Sequence, residues 1–139
     1  MPEELSGEHL EKLHSALRNV PFAKLLGIEL MAAEHGAVTL SLRIRDDLRQ
    51  IHGILHGGAI ASLIDTATAF AIVTQLTQPE KFTTVDLTVN YLKPLKEGRA
   101  TAQARVVRAG QRLLTVTAEV RDDAGSLAAM AVSTYIRLV

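Results

Sequence analysis

With 139 residues, the chain is long enough for one compact domain with a proper core and too short for two of ordinary size. Fifteen basic residues balance fifteen acidic ones, so there is no global attraction to nucleic acid or membrane surfaces. The absence of Cys and Trp excludes disulfides and thiolate metal sites, and the low aromatic content argues against a platform for stacking bases.

The start, MPEELSGEHLEKLH, is acidic and polar and lacks the basic and apolar stretches of a signal peptide. No apolar run reaches the ~18–20 residues of a spanning helix, so a cytoplasmic protein with no membrane association is expected. Residues 7–19 place Leu10, Leu13 and Leu17 at helical spacing and predict a short amphipathic helix. Pro21 breaks it, and Gly27 ends the following turn in PFAKLLGIEL. Residues 28–44 read as two strands around a turn at Glu34–Gly36, the second alternating Val38, Leu40, Leu42 and Ile44 with Thr39, Ser41 and Arg43. Residues 58–76 are the long helix; Ala59, Ile60, Leu63, Ile64, Ala67, Phe70, Ala71, Ile72 and Val73 cover most of its circumference, which predicts a central, buried element. Beyond Pro79 the segments 82–91, 99–108, 111–122 and 127–138 alternate as strands, and their short links predict an antiparallel sheet. The expectation is a single α+β domain over residues 1–139: a long antiparallel sheet curled around one buried helix, with a short helix at the N-terminus.

Asp65 is the conspicuous residue of that helix, because a lone carboxylate there is costly to desolvate without partners or a task. Its neighbours at i±3 and i±4 are Ala61, Ser62, Thr68 and Ala69, all small or hydroxylic, a face that lets another backbone come close. Gly57-Gly58 opens the helix, where free N–H groups favour negative charge and glycine permits close approach of a ligand. These are the parts of an oxyanion hole. Gly57 and Asp65 are eight residues apart, about 12 Å along one helix at ~1.5 Å per residue. They cannot both touch one reacting carbon. Two antiparallel copies of the helix, packed through the small-residue face, would bring Asp65 of one chain to Gly57 of another and create two equivalent sites.

Gln50, then His56-Gly57-Gly58, then Asp65 within LIDTA resembles the signature of the hotdog-fold acyl-CoA thioesterases of the 4-hydroxybenzoyl-CoA thioesterase superfamily, phenylacetic-acid-degradation subgroup. PFAKLLGI, VDLTVNYLKP and VVRAGQRL extend the resemblance across nearly the whole chain. The resemblance implies hydrolysis of an acyl-CoA to free acid and CoA. It implies that Asp65 acts as nucleophile or general base, that the Gly57 N–H is the oxyanion donor and that the Gln50 amide helps hold the carbonyl. It further implies that His56 shapes the loop and contacts substrate, and that Thr84 rather than Thr83 orients the attacking water. Gln50, His56 and Gly57 would come from one subunit, Asp65 and Thr84 from its partner, in a homodimer or a tetramer of two dimers, with Gly58 on the substrate-binding side.

A thioester carbonyl is already electrophilic, so a carboxylate with oriented donors suffices without metal or cofactor; coenzyme A belongs to the substrate. Between Lys93 and Arg112, six basic residues face only Glu97. Arg108 and Arg112 flank a turn at Ala109-Gly110, a candidate cradle for CoA phosphates, and the resemblance points to the same hairpin. His52 and His56 are spaced like metal ligands, but the glycines place them before the helix, no third ligand is evident, and no metal site is predicted. The alternative is a non-catalytic acyl-CoA sensor on the same scaffold; the retained carboxylate and the lack of room for a second domain favour the enzyme. The largely aliphatic pocket segments suit a medium-chain or aryl acyl group without choosing between them.

Overall fold

The computed structural model describes residues 3–139. Helix α1 (Gly7–Arg18) is capped by Ser6, whose side chain accepts the His9 N–H, and it buries Leu13 and Leu17. Helix α2 (Pro21–Leu26) has Pro at its start and ends at Gly27, whose φ of 73° is the left-handed conformation that glycine adopts without strain. Strands β1 (Glu29–Glu34) and β2 (Ala37–Arg43) form a hairpin. A short 3-10 turn at Asp46–Leu48 leads into the loop before α3 (Gly57–Val73). Strands β3 (Phe82–Tyr91), β4 (Arg99–Ala109), β5 (Leu113–Arg121) and β6 (Leu127–Arg137) complete the fold.

All six strands form one antiparallel sheet in the order β1-β2-β4-β5-β6-β3. The expected short hairpins hold for β1–β2, β4–β5 and β5–β6. They do not hold for β3–β4: residues 92–98 cross over, leaving β3 beside β6 at one edge while β4 pairs with β2. The helix also begins one residue earlier than its pattern and ends at Val73, because the Thr74 hydroxyl donates to the Ala71 carbonyl and accepts the Gly36 N–H at 2.7 Å.

The sheet wraps α3 on its concave side. Alternating Ala100, Ala102 and Ala104 on β4, with Ala118 on β5 and Ala129 and Ala131 on β6, give that side a low relief, which lets the helix nest close to the strands. Leu40, Leu42, Leu114, Val116 and Val120 fill the space around it, and Leu63, Ile64, Ala67 and Ala71 of the helix are fully buried among them. This is the helix-in-sheet arrangement expected of a hotdog fold.

Two of the sheet's four register shifts decide how the candidate site residues face. In β3 the register slips between Thr84 and Asp86, so Val85 is the extra residue and stands 59% exposed. Phe82 and Thr84 therefore share the inner face with Leu87 and Val89, which strict alternation forbids. In β4 the slip between Val106 and Arg108 ejects Val107 and moves Arg108 to the outer face, out of line with Ala100, Ala102 and Ala104.

Candidate active site

Asp65 lies at the middle of α3, on a half-exposed stripe with Ala61, Ser62, Thr66 and Ala69. Thr68, expected on that face, is turned inward and fully buried. The carboxylate Oδ1 accepts the Thr84 hydroxyl from β3 at 2.9 Å and the Tyr135 hydroxyl from β6 at 3.3 Å. Tyr135 also donates to the Asp65 main-chain carbonyl at 2.9 Å and stands 2.7 Å from Thr68 Oγ1. The bulge at Val85 is what turns Thr84, rather than Thr83, toward the helix.

None of the ion pairs among the described residues involves Asp65. Its Oδ2 makes no hydrogen bond among the described residues. No buried polar side-chain atom among the described residues lacks a partner, so this oxygen is open to solvent. Burial pushes the Tyr135 phenol up to about 12, and the neighbouring Asp65 charge acts in the same direction against the Thr68 and Thr84 hydroxyls. The phenol is therefore neutral at physiological pH and available as a donor. The arrangement is a carboxylate pinned by one oxygen and free at the other, which suits it to accept a proton or attack an electrophile.

The start of α3 forms the second cluster. His56 is the N-cap, and its Nδ1 accepts the Gly58 N–H at 2.8 Å. Nδ1 is thus unprotonated, and a neutral ring carries its proton on Nε2. The Ala59 and Ile60 amides both bond the His56 carbonyl, at 2.9 and 3.3 Å. Of the first-turn amides only that of Gly57 has no acceptor among the described residues. The Gly58 amide, expected on the substrate side, is occupied by the imidazole. A Cβ at Gly58 would lie 2.9 Å from His56 Nδ1, whereas the nearest atoms to one at Gly57 are those of Tyr91, at 3.4–3.6 Å. Tyr91 donates its hydroxyl to the Gly57 carbonyl at 3.0 Å.

Gln50 is half-buried in the tight turn before the helix, with Gly53 at φ 83°. Its Oε1 accepts the His52 N–H, and its two amide hydrogens have no acceptor among the described residues. Arg49 fixes the turn by donating to the carbonyls of Gly53 and Lys96, at 2.7 and 2.6 Å. Gln50 and Gly57 border an open cleft of about 330 Å³ with an apolar wall of Ile54, Leu55, Ile60, Leu92, Pro94 and Leu95.

The two clusters lie at different positions along one helix, about 12 Å apart by the ~1.5 Å rise. A third element, the β4–β5 turn, carries Arg108, Gly110 and Arg112. The β5–β6–β3 register places Leu114 beside Tyr135 and Tyr135 beside Thr84, so this hairpin lies about two strand spacings, ~10 Å, from Thr84. Gly110 is itself fully engaged: its N–H bonds Leu113 and its carbonyl accepts Arg137 Nε at 3.2 Å. The basic stretch is less concentrated than its sequence suggests. Lys93 pairs with Asp122, Arg99 with Glu29 and Arg105 with Glu34. The eleven-residue β4 separates Arg99 from the Arg108 end by about 30 Å at ~3.3 Å per residue. Arg108 and Arg112, which make no ion pair among the described residues, are what remains at the hairpin.

Tyr135 and Tyr91 have no counterpart among the residues expected from sequence. Their only signal is that they are the chain's two tyrosines and lie on strands flanking the helix.

A curled sheet around one helix, with a free carboxylate oxygen at its middle and an unclaimed amide at its start, defines a hotdog-fold hydrolase. The model of the thioesterase superfamily matches residues 52–129, more than half of the chain, and the chain belongs to that family. The medium/long-chain acyl-CoA thioesterase YigI of Escherichia coli is 30% identical over 133 residues, covering 85% of this chain and 86% of YigI. The solved PaaI protein of the E. coli phenylacetic acid degradation operon superposes with a TM-score of 0.88 at 25% identity, covering 98% of this chain and 97% of PaaI. A variant of the phenylacetic acid degradation protein PaaI from Thermus thermophilus gives 0.77 at 31% identity, over 85% of this chain and 99% of that one. The chain is accordingly an enzyme that hydrolyses thioesters. No helix among the described residues is long and apolar enough to cross a membrane.

Proposed function

We propose that the chain hydrolyses a medium-chain or aryl acyl-CoA to free acid and CoA, at sites assembled between two copies of itself. The observation that carries this reading is the Asp65 carboxylate, fixed at Oδ1 by hydroxyls, paired with no cation and open at Oδ2. Removing water from an unpaired carboxylate is unfavourable, and a purely structural residue at this place would be expected to carry a partner cation.

In the assembled site the thioester carbonyl oxygen accepts the Gly57 N–H and the Gln50 amide of one protomer. Asp65 Oδ2 of the other takes a proton from water as the water oxygen bonds the carbonyl carbon. The charge that develops on the carbonyl oxygen is held by donors already in place. The C–S bond then breaks, the proton passes from Asp65 to the thiolate, and acid and CoA leave. If Oδ2 instead attacks the carbon directly, a mixed anhydride forms as CoA leaves and water hydrolyses it; the same residues serve either route. Thr84 holds Oδ1 and would orient the water through its hydroxyl oxygen.

Pairing two chains is supported by the unpartnered outer edge of β3 and by the small residues of the Ala61–Ala69 stripe, which allow two helices to approach antiparallel. Assembly of two such dimers into a tetramer is part of the same reading. Phe22 and Leu25, exposed on α2, and the apolar cleft beside Gly57 supply aliphatic and aromatic wall for an acyl chain. Arg108 and Arg112 would bind the CoA phosphates. YigI, with its medium/long-chain acyl-CoA substrates, and PaaI, from an aryl-acid pathway, bracket the acyl classes to try.

The test is CoA release from phenylacetyl-, benzoyl-, 4-hydroxybenzoyl-, hexanoyl- and decanoyl-CoA by wild type and Asp65→Asn. Turnover by wild type that falls about a hundredfold or more in the variant is expected. Equal turnover by the two proteins would overturn the role of Asp65. Binding of acyl-CoA without turnover would move the protein to the sensor reading.

A further inference from the structure

Four oxygens meet around the middle of α3: Asp65 Oδ1, the Asp65 carbonyl, Tyr135 Oη and Thr68 Oγ1. Tyr135 reaches them from β6, 70 residues along the chain. Its ring is 2% exposed and packs edge-on against Phe82 at 5.6 Å, so the phenol cannot swing away. Thr68 lies one helical turn after Asp65 and is fully buried.

The protons in this cluster can be counted. Tyr135 and Thr68 carry one hydroxyl hydrogen each, for four acceptors: Asp65 Oδ1, the two hydroxyl oxygens themselves and the Asp65 carbonyl, which lies 2.9 Å from Tyr135 and 3.1 Å from Thr68. If Thr68 donates to Tyr135 across 2.7 Å, the Tyr135 hydrogen is committed to Asp65, between its carbonyl at 2.9 Å and Oδ1 at 3.3 Å. A tyrosine needing only a partner for its hydroxyl would be satisfied by Thr68 alone. With Thr68 as the donor, the Tyr135 hydrogen instead falls between the main chain and the side chain of the same residue. Together with Thr84 Oγ1 at 2.9 Å from the other direction, this fixes the orientation of the carboxylate about its side-chain torsions.

We infer that Tyr135, backed by Thr68, is a positioning residue of the hydrolytic site: it holds Oδ1 so that the unbonded Oδ2 of Asp65 faces the thioester. The inference rests on the reading of Asp65 given above. Thr84 approaches along β3, at an edge of the sheet, whereas Tyr135 sits on β6, paired on both sides, and is the more rigid of the two anchors. Raised by burial to about 12, the phenol stays a donor across the physiological range.

The experiment compares wild type, Tyr135→Phe, Asp65→Asn and the double variant on the best acyl-CoA, with thermal unfolding measured alongside. Tyr135→Phe keeps the ring, and Thr68 retains the Asp65 carbonyl as acceptor at 3.1 Å. The expected result is a fall in kcat of about tenfold or more, the scale of one hydrogen bond to a charged group, with KM changed less than about threefold. In the Asp65→Asn background the same change should have almost no further effect, because its action passes through the carboxylate. Thr68→Val should lower kcat in the same direction, and Thr68→Ser should restore it. Equal losses from Tyr135→Phe in both backgrounds would mean a structural residue only and would overturn the inference. So would an unchanged kcat in Tyr135→Phe while Asp65→Asn is inactive. Full turnover by Asp65→Asn would instead remove the reading on which the inference rests.

Discussion

The imidazole of His56 and the missing side chain of Gly58 are two halves of one device, and Gly58→Ala tests it. Glycine within a helix is ordinarily less favourable than alanine by up to about 1 kcal/mol, so the exchange should stabilise α3. Here the new Cβ would lie 2.9 Å from His56 Nδ1, and the ring would have to leave the Gly58 amide. Loss of an N-cap costs typically about 1 kcal/mol. The two effects nearly cancel, and Gly58→Ala alone should leave stability within about 0.5 kcal/mol of wild type. Once His56→Ala has removed the ring, the clash and the cap are both gone. The same Gly58→Ala change should then stabilise by up to about 1 kcal/mol. Urea unfolding of the four proteins at one fixed protomer concentration measures this coupling, the fixed concentration being needed for a chain that self-associates. If Gly58→Ala stabilised equally with and without His56, the imidazole would not be seated over Gly58, and the account of why only the Gly57 amide is free would fail.

Other expectations follow from the same geometry. Thr84→Val removes the 2.9 Å bond to Asp65 Oδ1; steady-state kinetics should show kcat reduced by about tenfold or more with unfolding little changed, whereas Thr83→Val, on the outward side of the strand, should stay near wild type. Arg108→Ala with Arg112→Ala should raise KM for acyl-CoA several-fold at low salt, and less so at high salt, while sparing a substrate truncated to acyl-pantetheine; an equal effect on both substrates would place the CoA phosphates elsewhere. The Tyr135 phenol is raised to about 12 in the folded chain against an ordinary value of about 10. Its contribution is therefore complete below pH ~10 and lost as pH climbs toward ~12, a decline of about 2–3 kcal/mol in unfolding free energy that Tyr135→Phe should lack. Matching alkaline profiles for the two proteins would contradict it.

The parts of this site legible in the sequence are those encoded locally. The all-round apolar pattern of residues 58–76 marks a helix buried on nearly every side, and the ~12 Å between Gly57 and Asp65 follows from their spacing and the helical rise alone. Side-chain alternation gave the strands nearly to the residue. What alternation hides is the place where it breaks: reading back from Leu87 and Val89 puts Thr83 inward, and only the extra residue Val85 brings Thr84 there instead. The β3–β4 crossover was illegible for a similar reason, since a seven-residue link resembles a loose hairpin until β2 competes for β4. Tyr135 lay beyond reach because its contact spans 70 residues and depends on the sheet order. The His56 cap was missed because histidine is not among the favoured capping residues. The basic run from Lys93 to Arg112 misled in the opposite sense, its charges being neighbours in sequence but divided by the length of β4 and by three ion pairs.

The central claim is that each site takes its amide donors from one chain and its carboxylate from another. Mixing Gln50→Ala with Asp65→Asn protomers, by joint unfolding and refolding at equal concentrations, tests it most directly. Each parent is impaired at every site, but in a mixed pair one site receives an intact Gln50 from the Asp65→Asn chain and an intact Asp65 from the Gln50→Ala chain. Random pairing should then restore about a quarter of wild-type CoA release, well above either parent. Activity that remained at the average of the two parents would contradict the claim and show that each site is built within a single chain.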